Sequence, residues 1–317
     1  MQVFYGLPQD LLRRPSAVAI GNFDGVHIGH QALLHDVVHA AHDRGLQPAV
    51  VTFRPHPRER LFHREAEALP RISTLYDKVL RILDCGIERV YILPFFRRFA
   101  SLTGHEFIHH VLNEGLDAHW VTVGRDFHFG ADRQGNVDLL DKMSLQERYE
   151  LFVAPTLLHH GERVSSTRVR EVLAKGDLIE TSRLLGHSYT MTGRVIHGAA
   201  LGRQLGFPTL NIQAVPPASP ARPAAQGVFA VRIYGLARHP LHGVASIGCK
   251  PTVSTNKQYL LETHVFDWSG DAYGKIIRVE FMEHLRNEQK FASLARLTQQ
   301  IENDAKQARR ILGYVGY

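Results

Sequence analysis

The chain has 317 residues, of which 44% are hydrophobic and 21% charged, with a net charge of +6. This length suits two ordinary domains and the composition excludes a disordered chain, while no apolar run approaches the roughly 18 residues of a membrane helix. Two widely separated cysteines, Cys85 and Cys249, exclude a disulfide framework and a cysteine-based zinc site, and fit a reducing compartment. The first residues lack a basic region followed by an apolar one, so no secretory leader is expected and the cytoplasm is the expected location. Lys and Arg are spread along the chain, so the basic excess fits anionic partners without singling out nucleic acid.

In chain order, "SAVAIG" reads as a strand and "HQALLHDVVHAAHDRG" as an amphipathic helix closed by Gly45. "QPAVVTF" is the next strand and "LYDKVLRILDCG" a helix ending at Gly86. "IERVYILPF", "GHEFIHHVLNEGL" and "AHWVTVG" follow as strand, helix and strand, then strand "YELFVAP" and helix "SSTRVREVLAKG". Apolar strands alternating with helices predict a parallel sheet covered on both faces, a Rossmann-like α/β domain over residues 1–185. Near residue 186 the pattern changes to strand-like runs: "SYTMTGRVIHG", "GVFAVRIYG", "HGVASIG", "YLLETHVFDW" and "GKIIRVEFMEHL". One long helical stretch, "FASLARLTQQIENDAKQARRILG", then closes the sequence. Residues 186–317 are therefore expected to form a small antiparallel β-barrel with a C-terminal helix. The Pro/Ala-rich residues 214–226 read as a long loop within it.

The chemistry-bearing stretch of the first domain is "GNFDGVHIGH", Gly21 to His30, at the turn after the first predicted strand. With 20 histidines in the chain, the i, i+3 spacing of His27 and His30 decides nothing, and it recurs at His39/His42 and His239/His242. Position decides. Glycines here let a ligand approach the backbone, and a helix N-terminus attracts phosphate. Two imidazoles on one face of that helix are placed to donate hydrogen bonds to phosphate oxygens.

Four motifs in order, "GNFDGVHIGH", "TFRPHP" (Thr52–Pro57), "VGRDFHFG" (Val123–Gly130) and "VSSTRVR" (Val164–Arg170), resemble the adenylyltransferase module of bacterial bifunctional FAD synthetases. The resemblance implies AMP transfer from ATP to FMN with release of pyrophosphate. It implies that His27 and His30 contact the ATP phosphates, that Arg170, Ser166 and Thr167 hold the triphosphate, and that Gly21, Asn22, Phe23, Asp24 and Gly29 line the nucleotide pocket. Asp126, Phe127 and Phe129 would seat the flavin. Arginine suits such a role because its planar fork binds two phosphate oxygens.

The second domain opens with "GRVIHGAALGRQLGFPTLN", carrying Gly193, Gly198, Gly202 and Gly206. As a bare glycine pattern it fits tight turns as well as a phosphate loop, and it is no Walker A sequence. "GRQLGFPTLN" is similar to the riboflavin kinase signature, which implies that those glycines and Thr209 and Asn211 bind ATP and that Thr209 and Asn211 hold Mg²⁺. In "LLETHVFDW", alternation puts Leu260, Glu262 and His264 on one face and Leu261, Thr263 and Val265 on the other. The resemblance makes Glu262 the general base that takes the 5′-hydroxyl proton of riboflavin. In "GVASIGCKPTV", Ser246 and Lys250 stand where the family commonly has asparagine and arginine. A lysine replaces bidentate contacts by a point charge.

The expectation is a bifunctional enzyme that phosphorylates riboflavin to FMN and adenylylates FMN to FAD, using ATP and Mg²⁺, with small-molecule partners and neither nucleic acid nor membrane. Oligomeric state is not legible. Two alternatives stand beside it. One is an adenylyltransferase whose kinase is impaired at Ser246 and Lys250; the other is a non-catalytic nucleic-acid or regulatory binding protein on the same folds.

Overall fold

The computed structural model describes residues 1–61, 69–198, 201–216, 219–251 and 257–313. Six strands form one sheet: β1 (Gln2–Tyr5), β2 (Ser16–Ile20), β3 (Gln47–Arg54), β4 (Arg89–Pro94), β5 (Ala118–Gly124) and β6 (Glu150–Ala154). They lie in the order β1-β4-β3-β2-β5-β6, every pair parallel. All of β2 is buried, as a parallel strand covered on both faces must be. The chain runs β2 to β3 to β4 on one side and then crosses to β5 on the other side of β2. The order thus reverses beside β2, and the loop after it opens where α/β sheets bind ligands.

The apolar runs form the core because alternate strand residues face the helices. Val18, Ile20, Val51, Leu93, Val121 and Val123 pack with Phe107, Ile108, Val111 and Leu112. Helix Ile28–Arg44 ends at Gly45, whose φ of 65° is left-handed, as its C-cap role requires. The predicted helix over residues 104–116 is a short α-helix, Gly104–Phe107, continued as a π-helix, Ile108–Asn113. Elements not expected from sequence include β1, the helix Val137–Glu147, the small hairpin β7 (Leu158–His159) with β8 (Glu162–Arg163), and the helix Leu178–Leu185.

The second fold is a closed antiparallel barrel. Its strands are β9 (Thr190–Ile196), β10 (Leu210–Gln213), β11 (Gly227–Tyr234), β12 (Leu241–Pro251), β13 (Lys257–Val265) and β14 (Ile276–Arg286). The order β10-β13-β12-β11-β14-β9 closes where β9 pairs with β10. Alternation divides β11: Phe229, Val231 and Ile233 are fully buried in one set, while Val228 and Ala230 pack against the helix Leu294–Ile311 through Ala305 and Ala308. That helix is capped by Ser293 and tied by Asp304, which pairs with Arg286 at 2.7 Å. Of residues 214–226, those described form no helix and no named strand, and Ala214, Val215, Ala221, Ala224 and Ala225 are buried. Residues 217–218 of that stretch, and residues 252–253 of the "GVASIGCKPTV" segment, lie outside the described residues.

The chain divides into two compact units, Met1–His63 with Lys78–Ser165, and Arg64–Asp77 with Ser166–Tyr317. The second unit thus includes a strap from far upstream, held by backbone bonds of 2.7 Å from Arg71 N–H to Arg222 O and from Ala224 N–H to Arg71 O. Its anchor is Asp77, 5% exposed. The carboxylate accepts from Thr192 N–H and Thr192 Oγ1 at 2.7 Å, from Thr74 Oγ1 at 2.6 Å and from Thr190 Oγ1 at 3.0 Å. Removing the carboxylate would take the acceptor from four donors, of which, among the described residues, Thr74 Oγ1 alone keeps a second one, the Thr192 carbonyl at 3.0 Å. Asp77→Ala should therefore destabilise the barrel unit by about 3 kcal/mol, read as a lower urea midpoint at unchanged slope, with Asp77→Asn costing less because its amide oxygen still accepts.

Candidate active sites

The loop after β2 is strained where a side chain must be aimed. Phe23 and Val26 have φ of 47° and 43°, with Gly25 at 85° between them. A positive φ is costly for valine, about 1–3 kcal/mol, and persists only when its surroundings hold it. They do: Phe23 is 1% exposed and Val26 fully buried.

The strain delivers His27 to the N-cap of helix Ile28–Arg44. There its Nδ1 accepts the His30 backbone N–H at 3.2 Å. With Nδ1 as acceptor, the ring proton sits on Nε2. The His30 ring stacks on that of His27 at a centroid distance of 3.6 Å and 12°, and Phe23 meets His30 edge-on at 5.1 Å. Gly29 permits this, since a Cβ there would stand 3.3 Å from His27 Nδ1. Gly21 has the Phe23 ring against it in the same way, 3.1 Å from a Cβ. Asp24 is buried beside them in the loop. The Asn22 carbonyl accepts from Thr52 Oγ1 at 3.3 Å, and Lys78 Nζ reaches that hydroxyl at 3.4 Å.

Lys78 is 3% exposed, and sequence reading overlooked it. The signal was present: it shares the buried face of its helix with Ile82, four residues on, where a charge is rare.

Of the other residues expected at this centre, Asp126 is exposed and paired with Arg163. Phe127 stacks on Phe129 at 5.4 Å, and Phe129 is 7% exposed within the sheet core. Ser166 opens the helix Ser166–Ala174 and Thr167 is exposed on it. Both belong to the second compact unit, as does Arg170, whose Nε donates to Pro70 O at 2.7 Å.

In the barrel, register does what sequence distance hides. Asn211 of β10 pairs directly with Glu262 of β13, and Glu262 pairs with Ser246 of β12. Residues directly opposite in antiparallel strands share a face, so carboxamide, carboxylate and hydroxyl form one row. Thr263 and Leu261, alternating with Glu262, are fully buried on the other face. Asn211 is 4% exposed, and its Oδ1 has no hydrogen-bond partner among the described residues. Gly198 lies against this carboxamide, where a Cβ would come within 2.7 Å of its carbon. A buried carbonyl oxygen with no internal partner is a suitable hard ligand, so Asn211 fits the Mg²⁺ expected there.

Thr209, half-buried, precedes β10 in a turn that Gly206 enters with φ of 84° and that Phe207 N–H closes on Gly202 O at 2.7 Å. Gly193 sits in β9 beneath Ile212. His264 Nδ1–H donates to Pro208 O at 2.9 Å and fixes the same turn.

Burial pushes the imidazoles of His264, His242 and His284 below their ordinary range. A base whose folded pKa lies below its unfolded value favours folding fully above about pH 6.5, and that contribution is lost as pH falls through the lowered values. The barrel's melting temperature should therefore drop between pH 7 and pH 5. Differential scanning calorimetry should show a smaller drop in His264→Gln.

A stacked histidine pair at a helix N-terminus beside the switch point of a parallel sheet, joined in one chain to a barrel carrying a carboxylate beside a carboxamide whose oxygen lacks a partner among the described residues, fits a two-centre nucleotide-dependent transferase. Known proteins agree. Residues 10–168 match the FAD synthetase family and residues 185–312 the riboflavin kinase family. The bifunctional riboflavin kinase/FMN adenylyltransferase of Escherichia coli (strain K12) is 41% identical over 296 residues, covering 93% of this chain and 92% of that protein. That of Pseudomonas fluorescens is 39% identical, covering 94% and 93%. A solved Streptococcus pneumoniae structure, described as a macrolide-efflux protein, superposes with a TM-score of 0.73 at 27% identity, covering 97% of this chain and 98% of that one. No helix among the described residues is long and apolar enough to cross a membrane. The chain belongs to the bifunctional riboflavin kinase/FMN adenylyltransferase family.

Proposed function

We propose that this chain makes FAD from riboflavin in two ATP-dependent steps at separate centres, acting in the cytoplasm on small molecules alone. The residues 186–317 supply the kinase and the residues 1–185 the adenylyltransferase. In the kinase, Glu262 takes the proton from the riboflavin 5′-hydroxyl as its oxygen attacks the γ-phosphorus of ATP, and ADP leaves. Gly193, Gly198, Gly202 and Gly206 let the backbone follow the phosphates. Thr209 and Asn211 hold Mg²⁺, which neutralises phosphate charge when bound.

In the adenylyltransferase, an FMN phosphate oxygen attacks the α-phosphorus of ATP in line and pyrophosphate leaves, so no protein nucleophile is required. Nε2–H of His27 and the His30 ring donate to the phosphate oxygens as charge shifts onto the pyrophosphate. Arg170, Ser166 and Thr167 hold the triphosphate tail. Gly21, Asn22, Phe23, Asp24 and Gly29 shape the nucleotide pocket, and Asp126, Phe127 and Phe129 seat the flavin.

The observation that carries the kinase reading is the orphaned Oδ1 of Asn211 in register with Glu262. It has a direct test. Asn211→Ala should raise the Mg²⁺ concentration giving half-maximal riboflavin phosphorylation about tenfold or more, while FMN adenylylation keeps its Mg²⁺ dependence. An unchanged kinase titration would remove Asn211 from the metal site.

A further inference from the structure

We propose that His109, His110 and Glu114, exposed on the sheet unit and assigned to neither transferase centre, form a binding site for a divalent transition ion of the zinc class. Adjacent residues on an α-helix point about 100° apart, so the pair "HH" in sequence predicts no common ligand. Here residues Ile108–Asn113 wind as a π-helix, whose wider turn swings neighbouring side chains closer. The two rings stand 5.1 Å apart, and one ligand atom from each of His109, His110 and Glu114 falls within 4.8 Å of the others.

His109 Nε2 lies 3.5 Å from Glu114 Oε1, close to the roughly 3.4 Å between ligand atoms around a tetrahedral zinc ion. His110 Nδ1 contacts the other carboxylate oxygen at 2.7 Å, so an ion would replace that hydrogen bond by a modest side-chain rotation. The second observation lies behind the first. His109 Nδ1 faces the carboxylate of Glu147 at 3.2 and 3.3 Å, and Glu147 is 6% exposed. Asn113 Nδ2 holds the same carboxylate. A carboxylate on one imidazole nitrogen fixes the proton there and presents the lone pair of the other nitrogen, the arrangement that supports metal-bound histidines. Imidazole and carboxylate together favour zinc-class ions over Mg²⁺, so the site would not compete for the ion used by the kinase.

The test is a zinc titration of the full, metal-stripped chain against a chromogenic chelator, with cobalt or nickel as second probes. Wild type should take up one tight equivalent, unaffected by millimolar Mg²⁺. His110→Gln and Glu114→Gln, both at exposed positions, should lose that equivalent, and Glu147→Gln should weaken it about tenfold. A zinc-dependent rise in the melting temperature should disappear with the same substitutions. Uptake identical in wild type and the exposed-residue variants would overturn the site and assign the zinc to other histidines. Loss in those variants with Glu147→Gln unchanged would overturn the role given to the buried carboxylate.

Discussion

Replacing both His27 and His30 by alanine should lower FMN adenylylation by about a thousandfold or more while riboflavin phosphorylation continues, so that FMN accumulates. The size follows from removing donors aimed at charge that grows in the transition state, each worth about 10²–10³ in rate. His27 is also the helix N-cap, and losing a cap costs about 1 kcal/mol. His27→Asn separates the two roles. Asparagine still caps the helix but lacks the Nε2–H donor, so this variant should melt like wild type and remain catalytically defective. Recovery of activity in His27→Asn would mean that the ring only caps. Steady-state rates started from FMN, with calorimetry on the same samples, measure both quantities.

Glu262→Gln should produce the complementary defect. Gln is nearly isosteric, so the row with Asn211 and Ser246 keeps its register and the barrel its closure. The lost function is proton acceptance, for which general bases contribute about 10²–10⁴ in rate. We expect kcat for riboflavin phosphorylation to fall by about a thousandfold with KM for ATP changed by less than about threefold, and FMN adenylylation to proceed as in wild type. A rise in KM without a fall in kcat would make Glu262 a binding residue instead. A mixture of Glu262→Gln with the double-histidine variant should restore FAD formation from riboflavin, because released FMN can pass between chains.

Much of the fold was legible because its strands are unambiguous. A fully buried parallel strand such as "SAVAI" is an unbroken apolar run, and glycines at Gly45 and Gly86 stop the helices that follow. What was hidden has physical causes. β1 is four residues with three of them exposed, so it carries no hydrophobic signature. β10 is equally short and was read as part of a phosphate loop, although it closes the barrel.

The π-helix over Ile108–Asn113 cannot be seen in a pattern that fits an α-helix nearly as well. The strap of residues 69–77 is hidden for another reason: its partners lie more than a hundred residues away, and a single aspartate gives no clue that four donors converge on it. The motifs offered candidate residues for both centres but not their mutual placement. That Asn211, Glu262 and Ser246 stand side by side follows from strand register, which depends on barrel closure and on no local feature of "PTLN" or "LLETHVFDW".

The central claim is that one chain carries two working transferase centres. It is tested most directly by chromatographing the flavins formed when the purified protein is incubated with riboflavin, ATP and Mg²⁺, beside a reaction started from FMN. The account predicts FMN followed by FAD in the first and FAD alone in the second. FAD from FMN with riboflavin untouched would contradict the kinase assignment, and no turnover of either flavin would contradict the account as a whole.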